Sequence, residues 1–136
     1  MLNILAIDDN ILFLETIVVY LEVKEWQVIT AQNGQLGLQL VETHKPDLII
    51  CDIQMPGLNG YDVLRILRQN PKTKKIPLIF ITGAVTERDR HFALELGAND
   101  YIDKISMFDH LIKAIETQLE STTSLSCSCK KAINFT

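Results

Sequence analysis

The sequence predicts an α/β fold in which helices cover both faces of a parallel β-sheet. Short apolar runs, such as residues 2–7 and 48–51, alternate along the chain with longer segments of helical periodicity. Alternation of this kind implies right-handed crossovers between parallel strands. Asp8 and Asp9 directly follow residues 2–7, and Asp52 directly follows residues 48–51. Carboxylates are therefore predicted at the edge where the strands end, which is where ligands bind in such sheets.

The composition suits one globular domain. The chain has 136 residues, of which 47% are hydrophobic and 22% charged, and its net charge is −4. These values allow a sizeable core, and we assign the domain to residues 1–120. Residues 121–136 are rich in Ser, Thr and Lys and are predicted to form a flexible tail.

No targeting or membrane-spanning segment is evident in the sequence. Glu15 and Glu22 interrupt the apolar stretch of residues 11–23, which is also too short to cross a bilayer. We therefore expect a cytoplasmic protein without a membrane partner. The absence of a strongly basic face argues against direct binding of nucleic acid.

Five strands and five helices follow from the pattern of apolar residues. The strands are expected at residues 3–7, 26–31, 48–52, 78–82 and 101–102. The helices are expected at residues 10–24, 34–44, 61–69, 87–96 and 107–120. Asp9 or Asn10 is a suitable N-cap for the first helix, Pro46 follows the end of the second, and Gly97 closes the fourth. Residues 55–60 are dense in turn formers and predict a loop.

Polar side chains with plausible roles in phosphoryl chemistry follow four of the five predicted strands. They are Asp8, Asp9, Asp52, Thr82 and Lys104. Carboxylates that converge are costly unless a cation neutralises them, and oxygen ligands favour a hard divalent ion. The expected metal is therefore Mg²⁺, or Mn²⁺ in its place. The alternative is that the aspartates cap helices and Lys104 is an ordinary surface charge.

This pattern resembles the receiver domain of two-component response regulators over about residues 2–120. The matching positions are Asp8-Asp9, residues 52–60, Thr82-Gly83-Ala84, Gly97-Ala98 with Tyr101, and Lys104. The resemblance implies a flavodoxin-like, doubly wound sheet of five strands in the order 2-1-3-4-5. It also implies a phosphoacceptor in a two-component system or phosphorelay.

The same resemblance implies a role for each site residue. Asp52 would accept a phosphoryl group from the phosphohistidine of a sensor histidine kinase or a histidine phosphotransfer domain. Asp9, Asp52 and the backbone carbonyl of Gln54 would bind Mg²⁺, with Asp8 held through water. Lys104 and the Thr82 hydroxyl would contact phosphoryl oxygens.

Thr82 and Tyr101 would form the switch that responds to phosphorylation. The expected output surface consists of the fourth helix, the fifth strand and the fifth helix, and it would contact a downstream protein target. A homodimer formed through the same surface is a further expectation. An ordinary half-buried strand tyrosine is the alternative for Tyr101.

One position departs from the family pattern, because Ile105 stands where the family usually has proline after Lys104. A cis bond before a residue other than proline costs about 2.5–4 kcal/mol, so a trans bond is expected. The first helix offers a further signal. Ile11 and Leu14 are expected to remain partly exposed and to dock a helical phosphodonor, unless they belong to a wide stripe that faces the core.

Two other functions are compatible with parts of the sequence. A receiver-like module that dimerises or acts as a scaffold without phosphorylation is supported only by the loss of the proline. A Mg²⁺-dependent phosphohydrolase with an aspartate nucleophile is disfavoured, because such enzymes usually carry a second aspartate two residues later, where this chain has Gln54. The phosphoacceptor receiver, by contrast, would be a signalling switch that catalyses its own phosphorylation, not a metabolic enzyme.

Overall fold

The computed structural model describes residues 2–83 and 86–126, with side chains as far as Glu120. Five parallel strands form one sheet in the order β2-β1-β3-β4-β5, as predicted. The strands are β1 (Asn3–Ile7), β2 (Gln27–Ala31), β3 (Leu48–Cys51), β4 (Leu78–Thr82) and β5 (Asp100–Asp103). The helices are α1 (Ile11–Glu22), α2 (Gly34–His44), α3 (Gly60–Gln69), α4 (Glu87–Leu96) and α5 (Met107–Ser126).

Side-chain caps determine where the chain enters its first four helices. Asn10, Asn33, Asn59 and Thr86 each accept a hydrogen bond from the backbone N–H three residues later. A cap of this kind satisfies one of the free N–H groups of the first helical turn and is worth about 1 kcal/mol. Gly97 ends α4 in the left-handed region with φ of 115°, as its position in the sequence predicted.

The alternating side chains of the strands separate two apolar clusters. Leu5 and Ile7 of β1 pack on one face with α2, α3 and α4. Ile4 and Ala6 point to the other face and pack with α1 and α5. Every residue of the central strands β3 and β4 is buried, which explains their continuous apolar sequences.

Helix α3 lies very close to the end of β3. The Gly60 N–H donates a 2.8 Å hydrogen bond to the carbonyl of Ile53. A Cβ atom at position 60 would overlap the carbonyl oxygen of Asp52, so only glycine permits this approach. The contact fixes the backbone that carries the Asp52 side chain.

Several boundaries differ from the sequence prediction, most of them by one or two residues and the end of α5 by six. Strand β5 covers Asp100–Asp103, and a 3-10 turn at Lys104–Ser106 connects it to α5. Helix α5 continues to Ser126, because no glycine or proline interrupts it after residue 120. Residues 127–136, the rest of the predicted tail, lie outside the described residues.

The α-helices within residues 2–83 and 86–126 are 10 to 20 residues long. Helix α5 is the longest of them, at 20 residues. None of these helices is long and apolar enough to cross a membrane.

Candidate functional site

The register of the sheet brings the predicted polar residues to one edge. Ile7 lies opposite Cys51, so Asp8 and Asp52 leave neighbouring strands at the same level. Thr82 lies opposite Asp103, so Lys104 leaves the end of β5 at the level where β4 ends. Residues that are far apart in sequence therefore meet because parallel strands end together.

Three carboxylates form the centre of this edge. One oxygen of each of Asp8, Asp9 and Asp52 lies within 4.8 Å of the others. Asp8 is 2% exposed and Asp52 is 7% exposed, whereas Asp9 faces solvent. Backbone N–H groups hold the buried pair in place. Asn10 donates to Asp8 Oδ1 at 2.9 Å and Ile53 donates to Asp52 Oδ1 at 2.8 Å.

The ammonium group of Lys104 reaches both buried carboxylates. Its Nζ atom lies 2.9 Å from Asp8 Oδ2 and 3.8 Å from Asp52 Oδ2. The bond between Lys104 and Ile105 is trans, like every peptide bond in the described residues. The expectation of a trans bond is confirmed, and the missing proline does not keep Lys104 from the site. Asp103 shapes the turn instead, since its Oδ1 accepts a 2.9 Å hydrogen bond from the Ile105 N–H.

Burial makes ionisation of both carboxylates unfavourable. Removal from water, followed by the nearby charge of Asp8, raises the pKa of Asp52 to about 6, while Lys104 opposes the shift. Burial likewise raises the pKa of Asp8 above its usual range, with Lys104 again opposing. One ammonium group therefore compensates only part of the negative charge at this edge.

The residues present fit a hard divalent cation. Three carboxylates supply oxygen ligands within one small volume, and Asp9 leaves one side of the cluster open to solvent. Apart from the Lys104 ammonium group, Asp8 Oδ2 has no polar partner among the described residues although it is buried. A bound cation would supply the charge that the cluster lacks.

Thr82 and Tyr101 occupy adjacent strands near the site. Thr82 is buried at the last position of β4, and Gly83 follows it, while Ala84 lies outside the described residues. Tyr101 is buried as well and points inward, where its hydroxyl group shares a hydrogen bond with that of Tyr61. Tyr101 is thus more deeply buried than the half-buried tyrosine of the alternative, and its role in a switch stays a prediction.

The prediction of an exposed Leu14 is wrong. Leu14 is only 4% exposed, because Leu14, Ile17 and Leu21 form the stripe of α1 that packs on the sheet. Ile11 precedes this stripe and is exposed, as expected. Leu12, which the sequence pattern did not single out, is 74% exposed on the same first turn.

Phe13 was also missed as a site residue. Its ring centroid lies 4.3 Å from Lys104 Nζ, within the range of a cation–π contact. In the sequence Phe13 is one of several apolar residues of the first helix, and no local pattern signals a contact with a lysine so distant in sequence.

Comparisons with known proteins agree with the fold. The family model described as "Response regulator receiver domain" matches residues 4–116. Protein PilH of Pseudomonas aeruginosa is 36% identical over 119 residues, which are 88% of this chain and 98% of PilH. A crystal structure of a response regulator receiver domain protein from Clostridium thermocellum superposes with a TM-score of 0.84 at 29% identity, covering 92% of this chain and 99% of that one.

Other relatives are much longer than the matching region. The phosphate regulon transcriptional regulatory protein PhoB of Pseudomonas aeruginosa is 34% identical over 120 residues, which are 88% of this chain but 52% of PhoB. This chain therefore spans only about half the length of PhoB. The match to the family model covers most of the residues described above, including all three carboxylates and Lys104. The chain belongs to the response regulator receiver domain family.

Proposed function

We propose that this receiver domain accepts a phosphoryl group on Asp52 from a phosphohistidine in a Mg²⁺-dependent reaction. The observation that carries the proposal is the asymmetry of the Asp52 carboxylate. Oδ1 accepts a hydrogen bond from the Ile53 N–H, whereas Oδ2 faces Lys104 and accepts no hydrogen bond from the described residues. Oδ2 is therefore the oxygen available to attack phosphorus.

The transfer requires an ionised Asp52. Attack by Oδ2 forms a bond between oxygen and phosphorus while the bond between phosphorus and the donor imidazole nitrogen breaks, leaving a neutral histidine once that nitrogen is protonated. Lys104 stabilises the negative charge on the phosphoryl oxygens, and the Thr82 hydroxyl donates a hydrogen bond to another of them. Because the pKa of Asp52 is about 6, most of the carboxylate is ionised at neutral pH.

Asp9, Asp52 and the Gln54 backbone carbonyl would hold the metal ion, with Asp8 bound through water. Mg²⁺ supplies charge neutralisation for the carboxylates and for an oxygen of the incoming phosphoryl group. Within the chain itself, Asp8 orients the Lys104 ammonium group through their 2.9 Å ion pair. The exposed position of Asp9 leaves it accessible to an ion from solvent.

The output of the switch involves the surface formed by α4, β5 and α5. Phosphorylation draws Thr82 toward Asp52 and favours the inward position of Tyr101, which packs against Phe80 at 6.3 Å between ring centroids. Arg90 of α4 donates to the Tyr101 carbonyl at 3.0 Å, which ties this helix to the same strand. A downstream protein target, or a second copy of the chain in a homodimer, binds this surface in the cytoplasm.

The exposed turn of α1 next to the site docks the phosphodonor. Ile11 and Leu12 are exposed apolar residues that directly follow the Asn10 cap, close to Asp9. A sensor kinase or phosphotransfer domain must bring its histidine to Asp52, so its helices cover this turn during transfer. Leu12 takes the place that we expected for Leu14.

The direct test of the function is intact-mass measurement after incubation with acetyl phosphate and Mg²⁺. The wild-type chain should gain the mass of one phosphoryl group, and Asp52→Asn should gain none because it lacks the nucleophile. Asp109→Asn, at an exposed carboxylate on α5, should be labelled like the wild type. The absence of an adduct on the wild type would favour the scaffold function, and steady hydrolysis of a small phosphate ester would favour the phosphohydrolase.

The electrostatics of the cluster predict a pH-dependent effect on stability. The pKa of Asp52 is raised in the folded protein, so its ionisation destabilises the fold progressively as pH rises from about 4 to about 6. Without metal, Asp52→Asn should therefore raise the free energy of unfolding by about 1–3 kcal/mol at about pH 7.5 and have little effect near pH 4.

Urea unfolding in EDTA, followed by circular dichroism at both pH values, measures this difference. Added Mg²⁺ should stabilise the wild type more than Asp52→Asn and so narrow the gap at neutral pH. Asp109→Asn serves as the control and should change stability little at either pH. A less stable Asp52→Asn protein at neutral pH would contradict the prediction, because it would mean that ionisation of Asp52 does not destabilise the fold.

The docking surface predicts a defect specific to protein donors. Leu12→Ser should slow phosphoryl transfer from a phosphorylated histidine phosphotransfer domain by about threefold to tenfold, because an apolar contact is lost. Labelling by acetyl phosphate should stay unchanged. Val23→Ser is the matched control, since Val23 is 72% exposed at the far end of α1 and Leu12 is 74% exposed. Equal slowing by both variants, or equal slowing with both donors, would contradict docking at this turn.

A further inference from the structure

Lys104 has a third partner besides the two buried carboxylates. The centroid of the Phe13 ring lies 4.3 Å from Lys104 Nζ, closer than is required for a cation–π contact. The Lys104 side chain is 23% exposed, so water does not fully screen this attraction. The ammonium group is thus held between Asp8 and Asp52 on one side and an aromatic ring on the other.

The position of Phe13 is itself well defined. Its N–H donates a 3.1 Å hydrogen bond to the side chain of Asn10, the N-cap of α1. The Asn10 N–H in turn donates to Asp8 Oδ1 at 2.9 Å. A continuous series of contacts therefore links Asp8, Asn10, Phe13 and Lys104. The ion pair of 2.9 Å between Lys104 Nζ and Asp8 Oδ2 joins the last of these residues to the first.

The turn that carries Lys104 does little by itself to restrict the position of the ammonium group. Lys104 begins a 3-10 turn, and the following Ile105 is 85% exposed and packs little against the domain. A lysine side chain has four rotatable bonds, and holding its end in one place costs conformational entropy. The ring of Phe13, which is partly buried against the apolar cluster under α1 and α5, limits the space that the ammonium group can explore.

An aromatic ring has a chemical advantage over a further carboxylate at this position. The ring face attracts a cation without adding negative charge to a cluster that already has too much. It also forms no ordinary hydrogen bond with the ammonium group. The N–H donors of Lys104 remain available for carboxylate oxygens and for an incoming phosphoryl group.

We propose that Phe13 is a positioning residue, whose ring keeps the Lys104 ammonium group aligned with Asp8 and Asp52. The proposal rests on the proposed role of Lys104 in phosphorylation of Asp52. Phe13 touches neither the phosphoryl donor nor the metal, and it acts only through Lys104. An aliphatic side chain at this position fills a similar space on α1 but does not attract the cation.

The test compares Phe13→Leu with Phe13→Tyr. Phosphorylation of Phe13→Leu by acetyl phosphate and Mg²⁺ should be about threefold to tenfold slower than that of the wild type, whereas Phe13→Tyr, which keeps the ring, should stay within about twofold. In a Lys104→Ala background, Phe13→Leu should cause no further slowing, because the residue through which Phe13 acts is gone. Slowing of the same size in that background, or a wild-type rate for Phe13→Leu, would overturn the proposal.

A spectroscopic measurement checks the contact without any phosphodonor. The ring current of Phe13 should shift the ε-methylene protons of Lys104 upfield in the wild type and in Phe13→Tyr, and this shift should be lost in Phe13→Leu. Lys104→Arg identifies the signals, and Phe13→Met replaces Phe13→Leu if the leucine variant does not fold. An unshifted Lys104 signal in the wild type would overturn the proposal even if Asp52 is phosphorylated. Failure of wild-type phosphorylation with a shifted signal would instead refute the proposed function.

Discussion

Two carboxylates that are removed from water share one ammonium group, and the organisation of the functional edge depends on this constraint. Asp8 and Asp52 are both nearly inaccessible to solvent, and among the described residues Lys104 is the cation that contacts them. Asp9 adds a third negative charge within 4.8 Å. A divalent cation bound to the cluster would relieve the repulsion among the carboxylates. The incoming phosphoryl group is itself an anion, so its binding requires that this negative charge is compensated.

The sheet makes this costly arrangement possible. The buried strands β3 and β4 and the two apolar clusters stabilise the domain enough to hold like charges at its edge. Close contact of Gly60 with the backbone of Asp52 and the cap at Asn10 then fix the carboxylates locally. Stability comes from the core, while the edge retains unfavourable charge that a ligand can relieve.

Much of the site was predictable because parallel strands end at a common edge. The positions of Asp8, Asp9, Asp52, Thr82 and Lys104 after apolar runs predicted that these residues would meet, and the family resemblance supplied the strand order. Such reasoning needs only the period of the pattern and the direction of the strands.

Side-chain orientation around a helix and contacts between distant residues were not predictable in this way. Leu14 belongs equally well to a stripe with Ile11 and to one with Ile17, and only the rotation of α1 against the sheet decides which is buried. The contact of Phe13 with Lys104 joins α1 to the loop after β5, and it depends on the path of that loop in three dimensions. The trans bond at Ile105 was expected, but its consequence for the reach of Lys104 was not.

We expect one divalent ion at this edge, held by Asp9, Asp52 and the Gln54 backbone carbonyl, with Asp8 bound through water. Anomalous diffraction from crystals grown with Mn²⁺ tests this expectation most directly, because the metal position is observed independently of any activity. We expect one strong anomalous peak in contact with Asp9, Asp52 and the carbonyl oxygen of Gln54. A protein that binds Mn²⁺ only elsewhere, or leaves this cluster without a peak at saturating metal, would contradict it.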